Sequence, residues 1–162
     1  IAWRAEGALA EASLAIAENR ATEAVDALRA GMAVDPFASA LYLNLADLHR
    51  SEGNEPAALA ALNEGLARLP DDGYLLYSRG LAAFRSQQQA EALAFFEQAV
   101  AVQPDNIDFV VANVLLLEAL GQFDSALSVL DAPFKSQPMP PQLGALRQRL
   151  LSQKRTTSPL NH

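Results

Sequence analysis

Four prolines recur at a fixed interval in this chain: Pro36, Pro70, Pro104 and Pro138 are equally spaced. Proline has no backbone N–H donor and disfavours a helical conformation in the residue before it, so each of these prolines ends one segment and helps to begin the next. An interval of about 34 residues holds two ordinary helices and two turns, and it is too long for a single helix. The chain is therefore predicted to be a series of helical hairpins.

Small residues recur with the same period, at Ala24, Ala58, Ala92 and Ala126. An apolar residue follows each alanine four positions later, at Leu28, Leu62, Phe96 and Leu130. A small side chain lets two helix backbones approach closely, and the apolar side chain on the same face fills the space beside the contact. These columns predict which face of the second helix in each hairpin packs against its partner.

The combined register resembles that of the tetratricopeptide repeat family. That family has a bulky and a small residue four positions apart in its first helix, a small and aromatic pair in its second helix, and a closing proline. The third unit carries the pattern at Leu76, Gly80, Ala92, Phe96, Ala99 and Pro104. The resemblance implies an all-α fold, a right-handed α-solenoid of four helix-turn-helix repeats within residues 1–140. The repeats would span about residues 5–38, 39–72, 73–106 and 107–140.

Two positions in the fourth repeat depart from the family pattern. Val114 is large where the family prefers a small residue, and Pro133 stands where the earlier repeats have glycine or alanine. A proline inside a helix costs about 3 kcal/mol. The last repeat helix is therefore predicted to stop or kink near Asp131.

Turn residues and apolar spacing predict the other elements. The first helix is predicted over residues 1–18, where Trp3 either caps the open end of the core or contacts an upstream segment. Asp35 is expected to cap the next first helix, and Pro36 to lie in its first turn. Further helices are predicted at 23–34, 37–51, 55–69, 107–120 and 123–131. A polar break at Ser86–Gln89 divides the third repeat into two helices.

The C-terminal part differs in composition from the repeats. Residues 132–141 contain four prolines and cannot hold a regular helix. Gln142–Arg155 carries leucines on one stripe, so we predict that residues 141–155 form a helix that caps the last repeat. Because a proline-rich hinge precedes it, this helix could instead pack on a second copy and form a homo-oligomer. Residues 156–162 are expected to be a flexible tail.

The composition restricts the classes of binding partner more than it restricts the cellular compartment. The chain has 162 residues, no cysteine and a formal net charge of −7, and its length predicts one domain. All 19 acidic residues lie before position 141, whereas the segment that begins there carries four basic ones. An acidic body repels nucleic acid and anionic lipid. No apolar run approaches the roughly 20 residues needed for membrane insertion. The lack of disulfides leaves both a cytoplasmic and a periplasmic location open.

No catalytic, metal-binding or cofactor-binding pattern is recognisable. His49 shares a helical stripe with Tyr42 and Ala46, so a core or half-buried histidine is expected. No cluster has metal-ligand spacing, the serines have no base partner, and no glycine-rich phosphate loop is present. We therefore predict that the chain is not an enzyme and holds no cofactor.

The first helix of each repeat carries apolar residues on a second face, which one-sided packing would leave polar. The resemblance implies that these faces line a concave peptide-binding groove. By position, the groove would contain Leu9, Ser13, Leu43, Asn44, Asp47, Tyr74, Tyr77, Ser78, Leu81, Arg85, Val111 and Leu115. Tyrosine and arginine are enriched at binding hot spots. For the aliphatic members Leu9, Leu43, Val111 and Leu115, packing between neighbouring first helices is the alternative.

One known binding mode of the family can be compared by position. Chaperone-binding members hold a partner's C-terminal carboxylate with Lys, Asn, Asn, Lys and Arg. The corresponding positions here are Leu9, Ser13, Asn44, Tyr74 and Ser78, of which only Asn44 agrees. Because a buried carboxylate needs cationic partners, we expect an apolar or amphipathic peptide, such as a helix, in the groove.

Two classes of function remain open from the sequence. The leading hypothesis is a protein–protein interaction scaffold. The alternative is an accessory domain of a larger envelope, assembly or electron-transfer protein or enzyme, since the chain begins at Ile1 and chains resembling it are often appended to such proteins. The basic last helix, with Arg147, Arg149, Lys154 and Arg155, is a second candidate surface for acidic lipid, nucleic acid or the acidic body itself. A solvated capping helix is the favoured interpretation of these charges.

The register makes a stability prediction at Ala92. Ala92→Leu should lower the free energy of unfolding by about 1–3 kcal/mol, because the larger side chain overpacks a close helix–helix contact. Urea denaturation followed by circular dichroism measures this change. An unaltered midpoint would mean that the alanine column does not mark the packed face.

Overall fold

The computed structural model describes the backbone of residues 2–157 and the side chains of residues 4–156. Within this range the secondary structure is entirely helical. The helices are α1 (Ala2–Ala17), α2 (Ala21–Val34), α3 (Ser39–Ser51), α4 (Glu55–Arg68), α5 (Gly73–Arg85), α6 (Gln89–Val102), α7 (Ile107–Ala119), α8 (Phe123–Asp131) and α9 (Pro141–Thr157). A single 3₁₀ turn, Ala132–Phe134, follows α8 in this part of the chain.

The chain divides into two compact units, residues 1–82 and 83–162, and the division falls within α5. In the N-terminal unit, α1 packs on α2, α2 on α3, and α3 on α4. In the C-terminal unit, α6 packs on α7, α7 on α8, and α8 on α9. Each helix therefore contacts mainly the helix next to it in sequence, which is how repeat proteins build their stability.

A three-residue turn of one kind recurs between consecutive helices. The central residue of each turn has a left-handed backbone conformation, and these residues recur with the same period as the prolines. They are Asn19 (φ 57°), Gly53 (φ 74°), Gln87 (φ 61°) and Gly121 (φ 72°). The amide of the following residue donates to the carbonyl five positions earlier, as in Arg20 N to Ala15 O at 2.8 Å. This hydrogen bond satisfies a carbonyl that the end of the helix would otherwise leave without a donor.

Side chains of two linker residues cap the starts of helices. Asp72 Oδ1 accepts from the Leu75 amide at 2.9 Å at the start of α5. Asn106 Oδ1 accepts from the amides of Asp108 and Phe109 at the start of α7. Both side chains satisfy amide donors that have no partner in the first helical turn.

The predicted start of α3 is wrong by two residues. The helix begins at Ser39 and not at residue 37, its N-cap is Ala38, and no side chain caps it. Asp35 Oδ1 instead accepts from the Phe37 amide at 3.2 Å, which holds Asp35 and Pro36 in a turn before the helix. The competing local hydrogen bond of the aspartate decides the boundary.

Close helix contacts organise the core of the N-terminal unit. A Cβ added at Gly31 of α2 would lie 2.6 Å from the Cβ of Ala8 in α1. A Cβ added at Gly65 of α4 would lie 3.0 Å from the Cβ of Tyr42 in α3. Any larger side chain would force the helices apart. Tyr42 is 1% exposed, and its hydroxyl donates to the Pro36 carbonyl at 2.9 Å.

The C-terminal unit accommodates both residues that depart from the family pattern, Val114 and Pro133. Val114 is fully buried, in the same apolar cluster as Ala126 and Leu130 of α8. The α-helix α8 ends at Asp131 and gives way to the 3₁₀ turn that contains Pro133. The predicted stop near Asp131 is thus confirmed. The apolar stripe of α9, Leu143, Leu146 and Leu150, belongs to the same cluster.

Other sequence expectations have mixed outcomes. The His49 side chain is half-buried, as expected, with Nδ1 3.5 Å from Glu52 Oε2. Thr156 and Thr157, which were predicted to belong to the tail, are the last residues of α9. The side chain of Trp3 and residues 158–162 of the predicted tail lie outside the described residues. No helix in the described part of the chain is both long enough and apolar enough to span a bilayer.

Gln87 offers a test of the recurring turn. Gln87→Gly should raise the free energy of unfolding by about 0.5–1 kcal/mol, because a side chain at positive φ costs about 1–2 kcal/mol and the added chain entropy of glycine offsets part of the gain. Urea denaturation measures the free energy of unfolding of this variant and of the control Gln88→Gly. Gln88 has an ordinary φ of −87°, so glycine relieves no strain there. Equal effects at the two positions would contradict the argument.

Candidate functional site

The α3 members of the predicted groove differ in exposure. Leu43 is half-buried against the core of the N-terminal unit, whereas Asn44 and Asp47 are exposed. The Asn44 side-chain amide donates to the Ala40 carbonyl at 2.8 Å, and Asp47 Oδ1 accepts from Arg50 at 2.9 Å. These polar side chains are thus held against their own helix.

The α5 members include the aromatic residues. Tyr74 is 51% exposed, while the next residue, Leu75, is fully buried. Tyr77, Ser78 and Leu81 are less accessible than Tyr74. The outward face of α5 in the N-terminal unit therefore presents two tyrosines and a leucine beside one small hydroxyl.

The remaining members are spread over other helices. In the C-terminal unit, Arg85 is exposed and lines a shallow recess of about 560 Å³ with Phe84, Gln87 and Gln89. On α7, Val111 is half-buried against the core and Leu115 is 44% exposed. On α1, Leu9 is half-buried and Ser13 is exposed. A groove that joins these residues stays a prediction.

Sequence reasoning missed two buried polar residues in one register. Arg79 is 9% exposed and Asn113 is 1% exposed, and both occupy the repeat position at which α3 has the fully buried Leu45. Arg79 Nε donates to Asn63 Oδ1 of α4 at 3.1 Å. Asn113 Oδ1 is buried and has no hydrogen-bond partner. The same repeat position holds the exposed Glu11 in α1, so this column has no consistent apolar character that would have marked Arg79 and Asn113 as buried.

Basic residues of α9 form ion pairs with acidic residues of the C-terminal unit. Arg147 donates to both carboxylate oxygens of Asp131, and Arg149 donates to both oxygens of Glu118. These side-chain hydrogen bonds raise the pKa values of Arg147 and Arg149 above the ordinary arginine value. The sequence left acidic lipid, nucleic acid and the acidic body as partners for the basic side chains of α9. The contacts observed are with acidic residues of the acidic body.

The described residues contain no group of three or more His, Asp or Glu side chains arranged to hold a metal ion. His49, the histidine whose side chain is described, has Nδ1 3.5 Å from Oε2 of Glu52, three residues further along the chain.

Comparison with known proteins assigns the family. Two sequence profiles, both described as tetratricopeptide repeat, match the chain: one matches residues 83–150 and the other matches residues 9–73 and 53–107. The chain belongs to the tetratricopeptide repeat family, and the all-α solenoid class predicted from the sequence is confirmed. No curated protein matches the chain by sequence.

Solved structures share the fold at low sequence identity. A tetratricopeptide repeat protein from Parabacteroides merdae is 18% identical with a TM-score of 0.73; the alignment covers 95% of this chain and 61% of that one. YrrB, a tetratricopeptide repeat protein with an unusual peptide-binding site, is 18% identical with a TM-score of 0.66, covering 91% and 76%. The first repeat domain of Spaghetti (RPAP3), bound to the HSP90 peptide SRMEEVD, is 22% identical with a TM-score of 0.60, covering 74% and 94%.

The unpaired buried carbonyl of Asn113 makes a stability prediction. Asn113→Leu keeps the number and branching of side-chain heavy atoms and should raise the free energy of unfolding by about 1–2 kcal/mol, because a desolvated polar group is removed. Chemical denaturation measures the change. The same substitution at the capping residue Asn106 should be destabilising by about 1 kcal/mol. A loss of stability at Asn113 would show that its amide is bonded in solution.

Proposed function

We propose that this chain is a non-catalytic scaffold that binds an apolar or amphipathic peptide, or a helix, of a partner protein. The first-helix faces of four repeats, about 5–38, 39–72, 73–106 and 107–140, would form the binding groove. The residues that carry it in this proposal are Leu43, Asn44, Asp47, Tyr74, Tyr77, Ser78, Leu81, Arg85, Val111 and Leu115.

The observation that carries the proposal is the accessible tyrosine face of α5. Tyr74 leaves half of its surface exposed although the helix buries Leu75 and Leu76 elsewhere. Tyrosine offers a large apolar ring and a hydroxyl that can donate or accept, and little conformational entropy is lost when it is fixed at an interface. A helix of a repeat protein needs no such residues on its solvent face for stability alone.

The chemistry of the face selects the class of ligand. Leu9, Ser13, Tyr74 and Ser78 offer no cation where chaperone-binding relatives hold a carboxylate, and Asn44 is bonded to its own helix. Apolar side chains of a partner would therefore supply most of the binding free energy, with polar groups setting the register. The peptide complex of the Spaghetti domain and the peptide-binding site named for YrrB support a groove ligand by similarity of fold.

The tyrosines provide the test. The double variant Tyr74→Ala/Tyr77→Ala should lose partner affinity by about 30-fold or more, since hot-spot truncations cost at least about 2 kcal/mol. Co-purification from the native source with mass spectrometry would identify the partner, and calorimetry would measure its affinity for each variant.

A matched control distinguishes binding in the groove from non-specific binding to exposed aromatic side chains. Phe37→Ala removes an aromatic side chain that is 65% exposed but lies in the turn before α3. It should leave partner binding unchanged, and circular dichroism should show native helicity for both variants. Equal retention of the partner by the wild type and the double variant would reject the groove.

A further inference from the structure

The first helices of the later repeats each use one side to pack on the second helix of the preceding repeat. Leu41 of α3 lies against α2, since a Cβ added at Gly31 would stand 3.1 Å from its Cδ2. Leu75 of α5 lies against α4 in the same way, with 3.0 Å between its Cδ2 and a Cβ added at Gly65. At this position α7, which packs on α6, has the fully buried Phe109. A second helix is therefore what covers this side of a first helix.

The helix α1 leaves the same side exposed. On α3 this side also includes Leu45 and Leu48, which are buried, as are the residues at the corresponding positions of α5 and α7. On α1 the three positions hold Gly7, Glu11 and Leu14, which are all exposed, Leu14 by 58%. A Cβ added at Gly7 would stand in open space. These three residues are called the end face of α1 below.

A recurring polar contact defines which residue of a covering helix lies opposite the position of Glu11. In α5 that position holds Arg79, whose Nε donates to Asn63 Oδ1 of α4 at 3.1 Å. In α9 it holds Arg147, whose Nε donates to Asp131 Oδ1 of α8 at 2.8 Å. In both pairs the partner precedes by 16 residues. The same place on the covering helix is thus used twice.

The carboxylate of Glu11 determines the charge that a covering helix needs at that place. A carboxylate that is brought into a helix–helix contact is stabilised by a cation that donates hydrogen bonds to it. In α2 the position equivalent to Asn63 of α4 holds Arg29. A helix that fits the end face therefore has an apolar side for Leu14 and an arginine or lysine where α2 has Arg29.

We propose that the end face of α1 is a docking surface for an amphipathic helix of a partner protein, which carries an arginine or lysine opposite Glu11. The partner helix packs on α1 as α2 packs on α3. The end face shares no residue with the proposed peptide-binding groove, so this inference does not depend on the groove.

The charges and the packing favour a partner protein over a second copy of this chain. In a folded copy, α2 has the required pattern, but it is already packed on both α1 and α3. Two end faces that packed on each other about a twofold axis would bring Glu11 against its own symmetry mate, because Glu11 lies between Gly7 and Leu14. Two carboxylates at such a distance repel each other.

A helical peptide that binds to the full chain tests the proposal. The probe is a fluorescent peptide of residues 20–38, because α2 is the helix that covers the equivalent side of α3. A lactam bridge between Asp26 and the lysine of Ala30→Lys keeps this short peptide helical. Both positions are exposed in the chain, so the bridge lies away from the packed side. Fluorescence anisotropy measures the affinity.

Two variants of the end face should weaken binding of this peptide. Glu11→Arg should lower the affinity about tenfold, because it places a cation opposite Arg29 of the peptide. Leu14→Ala should lower it on the order of tenfold, because apolar contact is lost. A peptide that also carries Arg29→Glu should recover binding to the Glu11→Arg chain.

Matched controls make the same kinds of change on other sides of α1. Glu6→Arg and Ile16→Ala should bind the peptide like the wild type. Glu6 lies about 140° from Glu11 around the helix, and Ile16 lies about 160° from Leu14. Glu6 holds the repeat position of Tyr74. If Glu6→Arg weakened binding and Glu11→Arg did not, the peptide would lie on the groove side, and this inference alone would be rejected.

Three other results would overturn the proposal. The first is the absence of saturable binding to the wild type at a peptide concentration of about 1 mM. The second is equal affinity for the wild type, Glu11→Arg and Leu14→Ala. The third is a wild-type dimer in sedimentation equilibrium that Leu14→Ala dissociates, because it would assign the end face to a second copy. Circular dichroism checks that each variant keeps its helices.

Discussion

The close approach of paired helices is the constraint on which the rest of the structure depends. Gly31 lies so near Ala8 that a methyl group added to it would collide with the α1 side chain, and Gly65 lies tightly against Tyr42. Dispersion contacts fall off steeply with distance, so such pairs lock one register of helix on helix. The turn length, the left-handed turn residue and the proline spacing all have to agree with that register, which is why they recur together.

The periodic part of the fold was predictable because single residue types, recurring at a fixed spacing, determine it. Small and apolar columns indicate the packed faces, and the helices lie within about two residues of their predicted limits, the usual uncertainty of helix ends. The start of α3 could not be placed because Asp35 can cap a helix or close a turn with similar local hydrogen bonds. Periodicity carries no information on which of these contacts forms.

The polar interior and the ion pairs of α9 were not predictable for a different reason. Asn113 is buried because of the helices on either side of it, and its own neighbours in sequence do not reveal this. Arg149 meets Glu118 across 31 residues of sequence, and many acidic residues were equally plausible partners. The candidate groove stays a prediction: Tyr74 is exposed on α5, whereas a site built from several helices depends on geometry that residue spacing does not contain.

Contacts between helices that are adjacent in sequence have a consequence for how the chain acquires its structure. Closing a short loop costs little chain entropy, so each helical hairpin can form before the residues that follow it have been synthesised. The three-residue turns bring α1 against α2 and α3 against α4 with almost no search. Only α9 must wait, since its ion-pair partners Glu118, Asp124 and Asp131 have to be in place first, which makes the seating of this helix the natural last step of folding.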